Sequence, residues 1–118
     1  MTSSIQNQQI PPSQWLEYFN QFTQANQGGR YTLEICNLDL GTQELARHAY
    51  LHSITYDPPS KGDDIVIATG KDDVAFAHTI YHPTVVWVAQ DQTAHPIALE
   101  ILDAEQTKTI LRLEPSAT

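Results

Sequence analysis

The sequence predicts an α+β domain, with one N-terminal amphipathic helix packed on an antiparallel sheet or small barrel of about six or seven strands. Apolar residues first recur at helical spacing and then, from Arg30 onward, at every second position. The length of 118 residues suits one domain that buries roughly two thirds of its unfolded surface. We therefore divide the chain into a flexible polar tail (1–10), a single domain (11–114) and a flexible tail (115–118).

The helix is predicted to follow Pro12, with Ser13 as its N-cap and Gly28-Gly29 as its stop signal. Four aromatic residues at positions i, i+3, i+4 and i+7 make one apolar stripe. They are Trp15, Tyr18, Phe19 and Phe22. We expect this stripe to dock the helix on the sheet, although a partner-binding or ligand-binding face would have the same composition.

The first strand is predicted from Arg30 to Cys36, where apolar and polar residues alternate. The segment from Gln43 to Tyr56 fits either a helix or a strand. A helix would place His48 and His52 one turn apart. A strand would place them about 13 Å apart, too far to chelate one metal ion.

The stretch from Phe76 to Val88 is the longest run rich in β-branched and aromatic residues, and it predicts central strands covered on both faces. Pro83 interrupts the run. A two-residue hairpin is excluded there because proline cannot adopt the required positive φ. A looser turn from Tyr81 to Thr84, or a bulged kink, is expected instead.

Three shorter strands complete the predicted sheet. Ile65 to Ala68 reads as a short buried strand between turns rich in Pro, Gly and Asp. Alternating residues from Ile97 to Ile101 and from Lys108 to Leu113 predict a terminal hairpin, because a turn of polar residues separates them.

Charge and cysteine content exclude several classes of function. The net charge is −8, from 14 acidic and 6 basic residues, so phosphate backbones and anionic membrane surfaces are unfavourable partners. Cys36 is the only cysteine, which rules out an internal disulfide framework. The sequence shows neither a signal-peptide pattern nor an apolar run of about 20 residues, and we expect a soluble cytoplasmic protein.

Four fragments occur in a recognisable order. They are the Trp15–Phe22 helix after Ile10-Pro11, the Leu40-Gly41 turn before Gln43, Ala46 and Arg47, the His78-Thr79-Ile80 triplet before Pro83-Thr84, and the Ala98–Ile101 strand before Thr109–Leu113. Together they resemble a family of short, single-domain bacterial proteins filed as a domain of unknown function. The resemblance implies no activity or ligand. It implies a strand at 43–56, since relatives carry proline at the position of Tyr50, and it matches only His78 among the histidines.

The histidines are the most visible chemistry. The pairs His48/His52 and His78/His82 would resemble metal-ligand pairs on helices, whereas on strands chelation would need cross-strand pairing, for example His48 facing His82. Carboxylates or a third histidine would also be needed, so neither a metal nor a cofactor is predicted. His78 shares a strand face with Phe76 and Ile80 and is expected to be a hydrogen-bonded core residue with an atypical titration.

We assign no catalytic residue, because no nucleophile or phosphate-binding motif is present. The first hypothesis is a non-catalytic domain that acts through protein contacts or self-association at open sheet edges. The alternative is a small-ligand-binding domain, with a pocket between the aromatic helix and the sheet or inside a small barrel. His78 would be its polar anchor, and the candidate ligand-binding residues are His78, Trp15, Phe19 and Trp87. The third hypothesis is a His-dependent enzyme, which needs His78 beside a carboxylate or Cys36 in an open cleft.

Overall fold

A computed structural model describes residues 5–114 and contains one α-helix and eight strands across that range. The elements are β1 (Gln6–Ile10), α1 (Trp15–Asn26), β2 (Arg30–Asn37), β3 (Gly41–Asp57), β4 (Asp64–Thr69), β5 (Phe76–Tyr81), β6 (Pro83–Gln90), β7 (Pro96–Asp103) and β8 (Lys108–Leu113). The strands form one sheet in the order β1-β6-β7-β8-β2-β3-β4-β5, and every pairing is antiparallel. The predicted α+β class is confirmed.

The aromatic stripe docks the helix on the sheet, as predicted. Trp15, Phe19 and Phe22 are buried in the core, and the Trp15 indole packs edge-on against Tyr56 of β3 at 5.3 Å between ring centroids. The start of the helix differs from the prediction. Ser13 lies inside a 3₁₀ turn and caps nothing, because that turn already leads the chain into the first helical residue.

The ambiguous segment is a strand, and it is the longest element of the fold. β3 has 17 residues, pairs with β2 through its first half and continues along β4 through its second half. Leu51 and Ile54 in the second half are fully buried. Because both His48 and His52 lie on this strand, the helical ligand spacing does not arise.

The helix also covers an edge of β3. β2 is too short to pair with the second half of β3, so the backbone there needs other partners. The Thr23 hydroxyl accepts a hydrogen bond from the Ile54 amide at 2.9 Å. The Gly29 carbonyl accepts from the Leu51 amide, and the Gly28 amide donates to the Leu51 carbonyl. This edge of the sheet is thereby closed to other strands.

The sheet curls so that strands that are not neighbours in its order come into side-chain contact. The Tyr31 hydroxyl on β2 is hydrogen-bonded to the Thr69 hydroxyl on β4, and both residues are buried. His78 on β5 approaches Thr109 on β8 in the same way. The enclosed core contains Ile10, Trp15, Phe19, Phe22, Tyr31, Leu33, Leu51, Ile54, Ile65, Ile67, Ile80, Val86, Val88, Leu99, Ile101 and Leu111.

The stretch from Phe76 to Val88 divides into two strands that do not pair with each other. The chain turns at His82, whose φ is +53°, which fits the predicted kink. The prediction of central strands covered on both faces is wrong in two respects. β5 is an end strand of the sheet, and one face of β6 is exposed at Trp87, because α1 covers β3 rather than β6.

Gln6–Ile10 forms strand β1 rather than part of a flexible tail. Its four polar residues are exposed and only Ile10 is buried, so the strand depends on its pairing with β6. The predicted tail segments 1–4 and 115–118 lie outside the described residues. No helix within residues 5–114 is long and apolar enough to cross a membrane.

Candidate functional site

His78 lies half-buried on β5 beside a small cavity of about 140 Å³. Its Nε2 is 3.4 Å from the Thr109 hydroxyl, and Asp103 also lines the cavity. Burial lowers the pKa of His78 below its ordinary value, and the negative charge of Asp103 partly opposes that effect. A cavity this small admits waters or a very small molecule, since typical ligand sites span about 300–1,000 Å³.

The corner beside this cavity is held by a second histidine. His82 Nδ1 is 3.0 Å from Asp63 Oδ2, and both residues have positive φ, at +53° and +54°. The His82 amide donates to the Asp63 carbonyl, and the Ala104 amide donates to the His82 carbonyl. These contacts hold an unfavourable backbone conformation in place and connect the β5–β6 corner to two neighbouring loops.

The other three predicted ligand-binding residues do not join His78. Trp15 and Phe19 are buried in the core, and the Trp15 indole Nε1 donates to the Ile10 carbonyl at 2.8 Å. Trp87 is 40% exposed and lines a separate depression on the outer surface of the sheet. The structure thus places the four residues in three different environments.

We call the outer surface around Trp87 the outer face. Its apolar part is formed by Trp87, Val85 and Leu102, which line a depression of about 240 Å³. Two ion pairs lie on the adjoining strands β7, β8 and β2. They are Lys108–Glu100 at 3.3 Å and Arg112–Glu34 at 3.1 Å. The outer face combines an exposed tryptophan with locally balanced charge.

A larger groove opens at the C-terminal end of α1, with a volume of about 790 Å³. Its walls come from Ala25–Arg30, from the start of β7 and from the end of β8. Ile97 and Leu113 supply apolar surface, whereas Arg30, Asp91 and Glu114 supply charge. This groove has the volume of a ligand site.

A cationic cluster at this groove was not predicted from the sequence. Arg30 donates a hydrogen bond to the Tyr50 hydroxyl at 3.1 Å. The Arg30 guanidinium and the Lys71 ammonium lie 5.2 and 5.7 Å from the centroid of the Tyr50 ring. The hydrogen bond from Arg30 and the two positive charges lower the pKa of Tyr50. In the sequence, the only feature that draws attention to Arg30 and Lys71 is that the chain has just 6 basic residues.

No group of three or more His, Cys, Asp or Glu side chains in the described part of the chain has metal-binding geometry. His48 contacts Glu114, His82 contacts Asp63, and His95 lies near Asp91. Cys36 is a half-buried free thiol. The histidines therefore pair separately with carboxylates or hydroxyls.

His78 is expected to make the protein less stable at acidic pH. Its folded-state pKa is lowered by burial, so between that value and about 6.5 the unfolded chain binds a proton that the folded chain does not. As pH falls through this window, the free energy of unfolding decreases. Urea unfolding of wild type and His78→Gln from about pH 7.5 to 5 should show a shallower decline in the variant. Equal slopes in wild type and His78→Gln would contradict the assignment.

Comparison with known proteins identifies relatives without a described activity. A family model described as a family of unknown function, DUF5335, matches residues 6–118. An uncharacterised protein from the bacterium Aquifex aeolicus is 28% identical over 107 residues, covering 91% of each chain. No solved structure matches the chain.

Proposed function

The chain belongs to the DUF5335 family of unknown function, and we propose that it is a non-catalytic domain that self-associates through its outer face. The observation that carries this proposal is the exposure of Trp87 beside Val85 and Leu102 on that face. Tryptophan is enriched among the residues that dominate the energy of protein interfaces. A cytoplasmic setting is part of the proposal, supported by a lone cysteine, Cys36, in place of a disulfide framework.

The balanced charge of the outer face favours a second copy as the partner. A chain with a net charge of −8 repels itself through most of its surface. On this face, however, the charges of Lys108 and Arg112 offset those of Glu100 and Glu34. Two copies can therefore meet here without bringing unpaired carboxylates together.

The size of the outer face also fits a dimer. Five adjacent strands, from β1 through β6, β7 and β8 to β2, share it. These strands have five to eight residues each, so at about 3.3 Å per residue and about 4.8 Å between strands they present roughly 550 Å² per copy. Two copies would bury roughly 1,100 Å² in total, an area that suits a weak, concentration-dependent dimer. β1 is the end strand on one side of this face, and its Gln9 pairs with Trp87 of β6.

Trp87→Glu is expected to weaken self-association by at least about thirtyfold, because it places a carboxylate at the centre of the interface. Sedimentation equilibrium over a range of concentrations measures this dissociation constant. Leu38→Glu is the matched control, since it adds the same charge at a residue that is 96% exposed on the β2–β3 turn. A wild-type protein that stays monomeric at high concentration, or equal weakening by both variants, would overturn the proposal.

The two tryptophans give an independent measurement. Trp15 is 3% exposed and Trp87 is 40% exposed in the monomer, so dilution should change the quenching of Trp87 alone. We expect acrylamide to quench fluorescence more strongly as the dimer dissociates. In Trp87→Glu the remaining Trp15 emission should stay concentration-independent, because Trp15 is buried in the core of each copy.

A further inference from the structure

We propose that Arg30, Tyr50 and Lys71 form a binding site for a small molecule carrying an oxyanion group, with the body of that molecule in the groove beside Arg30. Arg30 is shared by the cationic cluster and the groove wall. The site lies at the start of β2, away from the apolar part of the outer face on β6 and β7, and ligand binding there does not require self-association.

The cluster is unusual because its cations lack carboxylate partners. Among the described residues, Arg47, Lys108 and Arg112 each form an ion pair with a glutamate. Arg30, Lys61 and Lys71 form none there, although the chain has 14 acidic residues. Of these three, Arg30 and Lys71 come together beside the ring of Tyr50. Two positive charges held near one ring repel each other, and an anion bound between them relieves that repulsion.

Backbone contacts fix the two cations around Tyr50. Arg30 is its direct cross-strand partner in the β2–β3 register. The Gly70 amide donates to the Tyr50 carbonyl at 3.0 Å, which brings the following residue, Lys71, close to the Tyr50 ring. The three side chains come from three separate segments, yet their positions are set by the sheet itself. Side chains that are already held in place lose less conformational entropy when a ligand binds.

The donors of the cluster suit an oxyanion. The Arg30 guanidinium can offer two parallel N–H groups, and the Lys71 ammonium supplies a second positive charge. The Tyr50 hydroxyl lies 3.1 Å from Arg30 Nη2. Carboxylate and phosphate monoester groups share this recognition chemistry, and a titration with one probe of each kind distinguishes them.

The groove beside Arg30 defines the rest of the ligand. Ile97 and Leu113 provide apolar surface for a hydrocarbon or aromatic body. Asp91 and Glu114 also line the groove, but Asp91 already accepts hydrogen bonds from Thr93 and His95. Glu114 lies 2.8 Å from His48 Nδ1. Both carboxylates therefore have hydrogen-bond partners within the chain, and neither forms an ion pair with Arg30.

Amide NMR titrations with phenyl phosphate, benzoate and neutral benzyl alcohol test the site. We expect the anionic probes to shift the amide resonances of Arg30, Tyr50 and Lys71, and benzyl alcohol to leave them unchanged. Binding of phenyl phosphate alone would identify a phosphate ester as the ligand class, and binding of benzoate alone would identify a carboxylate.

Substitutions separate the site from general charge effects. Arg30→Gln is expected to weaken binding about tenfold or more, since a charge-assisted hydrogen bond is lost, and Lys71→Gln should weaken it in the same direction. Lys61→Gln is the matched control, because it removes the same charge from an exposed lysine at the opposite end of β4. Unshifted amides with both anions, equal binding of benzyl alcohol, or unchanged affinity in Arg30→Gln/Lys71→Gln would overturn the proposal. All these side chains are exposed, and unshifted resonances elsewhere verify the fold.

Discussion

Gly70→Ala is expected to lower the free energy of unfolding by about 3 kcal/mol or more. Gly70 follows β4 directly and has a φ of +154°, and a Cβ atom there would lie 1.9 Å from the Asp73 carbonyl oxygen. The obstacle is backbone, and it belongs to a loop that is tied back by the Ala75 amide donating to the Thr69 carbonyl. The loop must therefore move before alanine can fit.

Gly41→Ala separates this clash from the general cost of positive φ. Gly41 has a φ of +68°, and a Cβ atom there would meet nothing within 4 Å. Alanine at this position should cost only about 1–2 kcal/mol, the cost of a left-handed conformation. Urea unfolding followed by circular dichroism measures both variants. Equal destabilisation of the two would show that the loop after β4 does not fill the space beside Gly70.

The helix and the strand after it could be predicted because their signals are local. The aromatic spacing from Trp15 to Phe22 gives the buried stripe directly. The alternation after Arg30 correctly places Tyr31 and Leu33 in the core. In both cases the residues that determine the element lie within the element itself.

β1 and the exposure of Trp87 could not be predicted because they depend on distant partners. Gln6–Ile10 has no apolar alternation, and its strand conformation comes from pairing with β6. Val85 and Trp87 look like core residues in sequence. Both residues face outward because α1, the only α-helix in residues 5–114, packs on β3 and leaves this side of β6 uncovered.

The candidate sites were harder to predict than the fold. Tyr50 is 20 residues from Arg30 and 21 from Lys71 in sequence, so the β2–β3 register is needed to bring the three together. His78 was selected from the sequence, but its neighbours Asp103 and Thr109 come from β7 and β8. A site assembled from several strands leaves no local spacing to recognise.

Phe19→Ala is expected to lower the free energy of unfolding by about 3–5 kcal/mol, the range for removing a buried aromatic side chain. Phe19 is fully buried at the interface of α1 with the sheet. Leu16→Ala is the matched control on the same helix. Leu16 is 53% exposed, so its replacement should change stability by about 0.5 kcal/mol or less. Urea unfolding measures both changes, and similar values would contradict the docking of the helix through its aromatic stripe.

Hydrogen exchange should locate the effect of Phe19→Ala at a specific edge of the sheet. The amides of Leu51 and Ile54 donate to the Gly29 carbonyl and the Thr23 hydroxyl, both supplied by α1 or the turn after it. A loosened helix therefore exposes these two amides first, whereas Leu33, between β8 and β3, keeps its strand partners. Faster exchange at Leu51 and Ile54 than at Leu33 would show that the helix protects this edge. Uniform acceleration would mean that the helix and sheet unfold as one unit.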